Sequence, residues 1–224
     1  MRFLFLLAAA AAILTNSPLF AKPEEPVLVR VRLLTSEGEI VVALNSRRAP
    51  KTTANFLAYV DDGRLDGTSF YRAARRKNIA GHGYIQGGTR MDARRTLPPV
   101  EHEPTSLTGI THLDGTISMA RRDRPGSAMG NFFITVGPNP SLDAREESAG
   151  YAAFGHVVSG MDVVRRILAK PTGGGTGAMR GQMILRPVRL VKALRLDGTA
   201  SPTGRSKPWL IQLPDFSKMK KNPR

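Results

Sequence analysis

Polar and aromatic side chains that could bind or act on a ligand recur at alternate positions of short β-like segments. In a strand, successive side chains point to opposite faces. In GNFFITVGP this places Phe132 on an apolar face, whereas Asn131, Phe133 and Thr135 share the opposite face. An aromatic ring flanked by hydrogen-bonding groups indicates either a satellite of a second core or the wall of a binding groove.

Three further segments present polar or small residues in the same way. GYIQGG places Tyr84 and Gln86 on one face, GTISMAR exposes the small residue Ala120, and SFYRA places Phe70 and Arg72 on one face. If these faces converge, they form a shallow groove with one guanidinium, two amides, an aromatic wall and a small-residue floor. Such a groove has no nucleophile and no acid–base pair, but it suits an extended peptide.

Other chemistries lack a matching motif. The four histidines are not spaced i, i+3 or i+4 and the chain contains no cysteine, so the sequence predicts no metal site and no cofactor. There is no G-x-S-x-G segment. The glycine-rich PTGGGTGAMRG lacks the Lys-Ser/Thr ending of a phosphate-binding loop. Hydrolysis and redox chemistry are therefore not predicted.

The elements that position these segments follow from the same patterns. Alternation and an SEG turn in VLVRVRLLTSEGEIVVALN predict a β-hairpin. APKTTANFLAYVDDGR predicts a helix that begins at Pro50 and ends before Gly63. GMDVVRRILAK predicts a second helix, and ILRPVRLVKALRL predicts a last strand. Many short strands with two helices predict an antiparallel all-β domain, closed or sandwiched.

Taken in order, the segments resemble the cyclophilin family of peptidyl-prolyl isomerases. The resemblance runs from about Leu28 to Leu196 and is carried by FYR, YIQGG, GTISMA, NFFIT, LD and YAAFGHVVSGMDVV, together with the opening hairpin and the AP-T-NF helix. It implies an all-β fold with two capping helices, a closed eight-stranded antiparallel cyclophilin-like β-barrel. It also implies the reaction, which is rotation about X–Pro peptide bonds in a surface groove.

The resemblance also implies roles for particular residues. Arg72 matches the catalytic arginine, whose cation is favoured more by the twisted amide than by the planar one. Gln86 matches the glutamine that steadies this arginine and contacts the substrate backbone. The other implied substrate-binding positions are Phe133 and Leu142 in the proline pocket, Ala120 and Arg121 on the backbone-binding edge, and Asn131, Tyr84 and Tyr151 around the pocket.

Several positions depart from the family pattern. The link AARRKNIAGHG is longer and more basic than is typical, and the usual pocket phenylalanine is either replaced by Gly83 or shifted elsewhere. Four other positions carry a different side chain: Tyr84 for a methionine, Asn131 for a glutamine, Tyr151 for a histidine, and Ser141 for a tryptophan found in some members. We therefore expect weak cyclosporin binding and altered turnover.

A formal net charge of +15 favours acidic partners such as nucleic acid, anionic lipid or acidic unfolded chains. The basic residues are scattered, and no nucleic-acid-binding motif with interleaved aromatics is present. We interpret the charge as a solvated surface. The expected partners are unfolded or proline-containing polypeptides, not nucleic acid, and the absence of a long apolar stripe predicts a monomer.

The first residues predict export. MRFLFLLAAAAAILTNSPLFA has the basic start, apolar block and small final residue of a secretory signal peptide, with cleavage after Ala21 and an uncleaved anchor as the alternative. Residues 22–26 are then a linker, 27–198 the isomerase domain, and 199–224 a basic, Pro-rich extension in which Trp209 to Leu213 dock back on the domain. We expect a periplasmic or secreted protein, without a membrane span after cleavage.

The sequence therefore predicts an exported peptidyl-prolyl cis-trans isomerase that assists the folding of exported proteins. One alternative is a proline-peptide-binding chaperone or scaffold on the same fold, with weak or no isomerase activity. Another is an adhesion module that binds the cell envelope through charge.

Overall fold

The structure is a computed structural model that describes residues 27–90 and 92–211. The predicted signal peptide, the linker and Leu213 lie outside the described residues. The strands are β1 (Leu28–Thr35), β2 (Gly38–Asn45), β3 (Thr68–Arg75), β4 (Gly83–Gly88), β5 (Thr116–Met119), β6 (Asn131–Val136), β7 (Ala153–Ser159), β8 (Thr172–Gly173) and β9 (Met183–Arg195). The helices are α1 (Pro50–Asp61), α2 (Thr105–Thr108) and α3 (Met161–Leu168).

One antiparallel sheet closes on itself. Its strand order is β1-β2-β7-β5-β6-β4-β3-β9, and β9 then pairs with β1, so that Val31 lies opposite Arg195. The two-residue β8 pairs with β9 and stands outside this ring. The predicted closed eight-stranded barrel is therefore confirmed. Closure leaves the ring without an exposed edge to pair with other chains.

Alternating apolar residues fill the interior of the barrel. Val29, Val31 and Leu33 of β1 and the apolar residues of β6 are almost completely buried, and Phe132 is the centre of an aromatic cluster. Its ring centroid lies 5.2 Å from that of Phe56 on α1 and 5.6 Å from that of Phe70 on β3, both edge to face. Each such ring contributes about 1.5–3 kcal/mol when removed from water. Helix α1 thus closes one end of the barrel, and the core fixes the strands that carry the polar face.

A β-bulge in β3 decides which way Arg72 points. The register with β4 shifts between Phe70, which pairs with Gly87, and Arg72, which pairs with Gln86. Because the bulge adds one residue to β3, alternation changes phase at Tyr71. Phe70 is fully buried in the core, whereas Arg72 is half-buried on the outer face. The prediction that Phe70 and Arg72 share a face is therefore wrong.

The two predicted helices are confirmed as α1 and α3, and the described residues contain a third. Helix α2 is a single turn that directly follows Pro104. Pro104 precedes it in an extended conformation, and Gly109 ends it with a φ of 64°. Within the described ranges, no helix is long and apolar enough to cross a bilayer.

The chain after β9 returns to α1. Buried Asp62 accepts hydrogen bonds from the Thr203 backbone N–H and hydroxyl, at 2.8 and 2.5 Å, and from Arg64 Nε at 2.7 Å. Trp209 lies with its ring centroid 4.7 Å from the Arg64 guanidinium and 5.4 Å from that of Arg95. Described residues of the C-terminal extension therefore pack against the barrel.

Candidate active site

Four neighbouring strands place a row of side chains across the outer face of the barrel. Arg72 on β3 pairs with Gln86 on β4, Gln86 pairs with Phe133 on β6, and Phe133 pairs with Ser118 on β5. The side chains of directly opposite residues in adjacent strands lie on the same face. Three strand pairings therefore bring together residues that are far apart in the sequence.

The guanidinium of Arg72 is held by three acceptors. Its Nη1 donates to Gln86 Oε1 at 2.9 Å, its Nε to Gln182 Oε1 at 2.9 Å, and its Nη2 to the Ala178 carbonyl at 3.3 Å. A guanidinium has five N–H donors. These three bonds fix the plane of the group and leave one donor on each Nη for a ligand.

A chain of hydrogen bonds extends from Arg72 along the groove. Gln86 Nε2 donates to the Tyr71 hydroxyl at 2.9 Å, and Tyr71 donates to Asn131 Oδ1 at 3.3 Å. Burial raises the pKa of Tyr71, so its phenol stays protonated and can donate at neutral pH. The network orients the Gln86 amide with its oxygen toward Arg72.

Phe133 forms the wall of a small pocket beside the guanidinium. Its side chain is nearly buried, with the ring centroids of Tyr84 and Tyr151 at 5.2 and 5.4 Å. The pocket has a volume of about 60 Å³. Its lining comprises Arg72, Tyr84, Gln86, Ala120, Arg121, Phe133, Leu142 and Tyr151. Eight of the nine predicted site residues thus surround one small space that combines aromatic rings with two guanidinium groups.

Asn131, the ninth predicted site residue, lies in an adjoining groove. Its Nδ2 donates to the Arg90 carbonyl at 3.0 Å, and its Oδ1 accepts from the Arg90 N–H at 2.6 Å. Both ends of the amide therefore hold the backbone of Arg90, which has a φ of 55°. Direct contact between the Asn131 side chain and a substrate stays a prediction.

The glycine-rich segment forms the far wall of this adjoining groove, which has a volume of about 450 Å³. Gly175, Thr176 and Met179 line it, together with Met183 at the start of β9. The same segment supplies Ala178, and Gln182 follows it directly. Sequence analysis missed both contacts to Arg72. The sequence signal that could have found them is their position just before the last predicted strand, in which Met183 pairs with Arg72.

Gly83 is a strand residue with no space for a side chain. It pairs with Arg75 and Val136 and has a φ of 149°. A Cβ there would lie 2.1 Å from the Ala74 carbonyl oxygen. The aromatic side of the pocket near this point is instead formed by Tyr84.

A buried polar cluster supports Phe133 from behind. The His112 ring stacks on Phe133 with centroids 5.7 Å apart and an interplanar angle of 13°. Its Nδ1 lies 2.6 Å from Asp143 Oδ1, and its Nε2 lies 2.9 Å from Ser118 Oγ. Burial lowers the pKa of His112 despite the opposing effect of Asp143. The neutral ring therefore donates a hydrogen bond from Nδ1 to Asp143 and accepts one at Nε2 from the Ser118 hydroxyl.

This Ser–His–Asp arrangement has the order of a hydrolytic triad but not its accessibility. Ser118 and His112 are 0% and 1% exposed, and neither lines the pocket or the groove. A nucleophile must reach its substrate within bonding distance. The cluster therefore positions Phe133 and does not attack a substrate.

Burial of neutral His112 predicts a loss of stability in mild acid. Since the unfolded chain takes up the proton near pH 6.5 and the folded chain only at lower pH, stability is retained above this value and falls below it. The maximum slope for one such group is about 1.36 kcal/mol per pH unit. Urea unfolding at pH 7.0, 6.0 and 5.5 measures this dependence.

His112→Asn should remove most of this slope, whereas His156→Asn, at an exposed position of β7, should retain it. Equal slopes in wild type and His112→Asn would contradict the assignment. The comparison also separates the contribution of His112 to the slope from that of the carboxylates, which are the same in all three proteins.

The chain is similar in sequence to peptidyl-prolyl cis-trans isomerases of the cyclophilin type. The family profile described as cyclophilin-type peptidyl-prolyl cis-trans isomerase/CLD matches residues 30–193. A peptidyl-prolyl cis-trans isomerase of Acinetobacter baylyi is 36% identical over 161 residues, covering 72% of this chain and 82% of that protein. Peptidyl-prolyl cis-trans isomerase A of Dickeya dadantii is 39% identical over 165 residues, covering 72% and 83%.

A solved structure agrees with the fold. The cyclophilin-type isomerase of Cryptosporidium parvum superposes with a TM-score of 0.58 and 21% identity, covering 77% of this chain and 99% of that one. At this identity the similarity concerns the fold. Together with the family profile and the bacterial relatives, it leads to one conclusion: the chain belongs to the cyclophilin-type peptidyl-prolyl cis-trans isomerases.

Proposed function

We propose that this isomerase acts on X–Pro bonds in unfolded or exposed segments of exported proteins, that it works in the periplasm or outside the cell, and that Arg72 is its catalytic group. The observation that carries the proposed mechanism is the fixed Arg72 guanidinium at the rim of the Phe133 pocket, where three of its five N–H donors are held by the described residues Gln86, Gln182 and Ala178. The support for export is the N-terminal apolar sequence.

The reaction requires no bond cleavage. Resonance gives the peptide bond a rotation barrier of about 18–20 kcal/mol, and uncatalysed X–Pro isomerisation takes tens to hundreds of seconds. Twisting the bond localises the lone pair on the prolyl nitrogen. A donor on Arg72 interacts with that lone pair more strongly in the twisted state than in the planar state, which lowers the barrier.

The geometry supports this role because the cation does not need to reorganise during the reaction. Gln86, Gln182 and Ala178 fix the guanidinium before substrate binds. An acceleration of about 10⁵ requires about 7 kcal/mol of differential stabilisation. One preoriented charge-assisted hydrogen bond, together with displacement of water from the apolar pocket, provides interactions of the required kind.

The pocket residues hold the proline ring in this proposal. Phe133, Leu142 and Tyr151 contact its methylene groups, and Tyr84 closes the side next to Arg72, whose guanidinium lies 5.2 Å from the Tyr84 ring centroid. Gln86 and the edge formed by Ala120 and Arg121 bind the neighbouring substrate backbone. Asn131 contributes by holding the groove wall.

The partners in this proposal are polypeptides and not nucleic acid, and the active unit is a monomer. The closed barrel supports the monomer, because its ring has no free strand edge with which to extend the sheet into a second copy. Gel filtration of the mature chain measures the oligomeric state.

Two measurements test the proposal. The mature protein, residues 22–224, should accelerate cis–trans exchange of an Ala-Pro peptide and the refolding of a protein whose slow phase is proline isomerisation. Exchange at the uncatalysed rate, with measurable peptide binding, would replace the enzyme by the binding-module alternative. If the protein neither accelerated exchange nor bound the peptide, both the enzyme and the binding-module assignments would be wrong.

Export is tested separately. Residues 1–26 fused to a phosphatase that is active only outside the cytoplasm should give activity, with cleavage after Ala21 seen by mass spectrometry. The paired substitution Leu6→Arg and Leu7→Arg interrupts the apolar block and should abolish that activity. Phosphatase activity that is absent from the unmodified fusion would contradict the proposed localisation.

A further inference from the structure

We propose that the groove beside the proline pocket selects substrates that carry an aspartate or glutamate within a few residues of the proline. The inference rests on the proposed function, because it assigns a substrate class to the same site. It goes beyond that function by naming the side chains that discriminate between proline-containing sequences, namely Arg90, Arg121 and Arg122.

The charges that line the two spaces are all of one sign. Arg90, Arg121 and Arg122 line the groove, and Arg72 and Arg121 line the proline pocket. Among the residues the structure describes, no aspartate or glutamate lines either space. An extended peptide rises about 3.3 Å per residue, so residues next to a bound proline must pass these guanidinium groups.

Arg121 is fixed at the junction of pocket and groove by neutral groups. Its Nε donates to the Gly150 carbonyl at 2.9 Å, and its Nη1 donates to the Arg122 and Asp123 carbonyls at 2.9 and 2.8 Å. The guanidinium lies 4.9 Å from the Tyr151 ring centroid. Carbonyls and a ring orient the cation without cancelling its charge, and no described residue accepts from Nη2. The geometry suits an incoming carboxylate.

Arg90 and Arg122 are exposed and have no ion pair within the described part of the chain. Arg90 lies over the Tyr71 ring at 5.6 Å. Carboxylates hold several arginines outside the groove, as in Arg64 with Asp62 and Arg195 with Asp61, whereas Arg186 and Arg189 on β9 are exposed like Arg90 and Arg122. What distinguishes the groove is that three guanidinium groups line one space with no carboxylate among its described lining residues.

The rest of the groove increases the attraction of these arginines for an anion. Met129, Met179 and Met183 contribute flexible, apolar lining. Apolar surroundings lower the effective dielectric constant near a charge and increase its attraction for an anion. Asp123, the acidic residue of the segment RRDRPGS, lies outside the lining and contributes its backbone carbonyl to Arg121. Acidic side chains of a substrate are therefore the complementary groups.

The test compares matched peptides. A reporter peptide with one X–Pro bond carries glutamate or the isosteric glutamine at each position from three before to three after the proline. The ratio of kcat/KM for glutamate over glutamine cancels any general loss of activity. Attraction of two unit charges at about 4 Å in water corresponds to about a fivefold effect. We expect a ratio of at least about five at one position in low salt, falling below about two at 0.5 M salt.

Two variants that each remove two charges assign the effect to the groove. Arg90→Gln with Arg122→Gln should at least halve the ratio, because Arg121 is the one of the three arginines that remains. Arg186→Gln with Arg189→Gln, at exposed positions of β9 outside the groove, should retain the wild-type ratio. A wild-type ratio below two at every position would overturn the inference, and so would an equal loss of the ratio in both variants.

Failure of the inference can be distinguished from failure of the proposed function. If the glutamine peptides are isomerised and the ratio stays near one, the enzyme assignment stands and the acidic preference is wrong. If no peptide is isomerised, the same pairs are compared by binding affinity, with the same thresholds. The ratio of binding affinities then confirms or overturns the acidic preference, whether or not the protein is an enzyme.

Discussion

Replacement of Arg72 by alanine should lower kcat/KM by at least about 100-fold, which corresponds to about 2.7 kcal/mol of transition-state stabilisation. The variant loses the one group that donates to the prolyl nitrogen in the proposed mechanism. Its acceptors, Gln86 and Gln182, lie at the solvent-accessible site and can bind water instead, so the barrel should remain folded. Coupled isomerisation kinetics and circular dichroism measure the two quantities.

Two companion variants make this result specific. Arg72→Lys keeps the charge but cannot satisfy three fixed acceptors while also donating to substrate, so its activity should stay close to that of Arg72→Ala. Arg76→Ala removes an exposed arginine just beyond β3 and should stay within about twofold of wild type. If Arg72→Ala kept a third of the wild-type rate, catalysis would have to arise elsewhere in the pocket.

The largest expected effect on stability is at Asp62. Arg64 and Asp62 are 3% and 0% exposed at their side chains. Burial by itself would raise the pKa of Asp62, but hydrogen bonds from Thr203 and Arg64 outweigh burial and lower this pKa. Asp62→Ala leaves the Arg64 charge buried without its carboxylate, and removal of one partner of a buried pair costs about 3–5 kcal/mol. Urea unfolding at pH 7 measures the loss.

The matched control is an ion pair on the surface. Asp162 and Arg166 pair at 2.6 Å on α3 with exposures of 71% and 51%, and because solvent screens this pair, Asp162→Ala should cost far less stability than Asp62→Ala. The double variant Asp62→Ala with Arg64→Leu removes both buried charges and should recover part of the loss. Equal stabilities of the Asp62 and Asp162 variants would contradict the cost assigned to breaking the buried pair.

Much of the fold and the site could be predicted because alternation and turn residues carry the information locally. The hairpin, the two longer helices and the polar face of β6 follow from spacing alone. The family resemblance predicted in addition that the sheet closes into a barrel and that the site residues lie together. The structure places eight of these residues around one pocket. Their individual roles remain predictions.

The unpredicted features depend on contacts between distant segments. The bulge at Tyr71 has no signature in SFYRA, because a bulge is set by the register between two strands. Gln182 and Ala178 reach Arg72 only after β9 has paired with β3. The cluster of His112, Ser118 and Asp143 likewise becomes visible only when three segments are packed together.

Pairing between the first and last strands affects how the chain can be made. Since Val31 on β1 faces Arg195 on β9, a nascent chain emerging from its N-terminus presents β1 with one side unpaired until almost the whole domain has been synthesised. Partial barrels expose strand edges that other chains can join. The barrel can therefore close only after the final strand has been released, and until then its open strand edges are available to other chains.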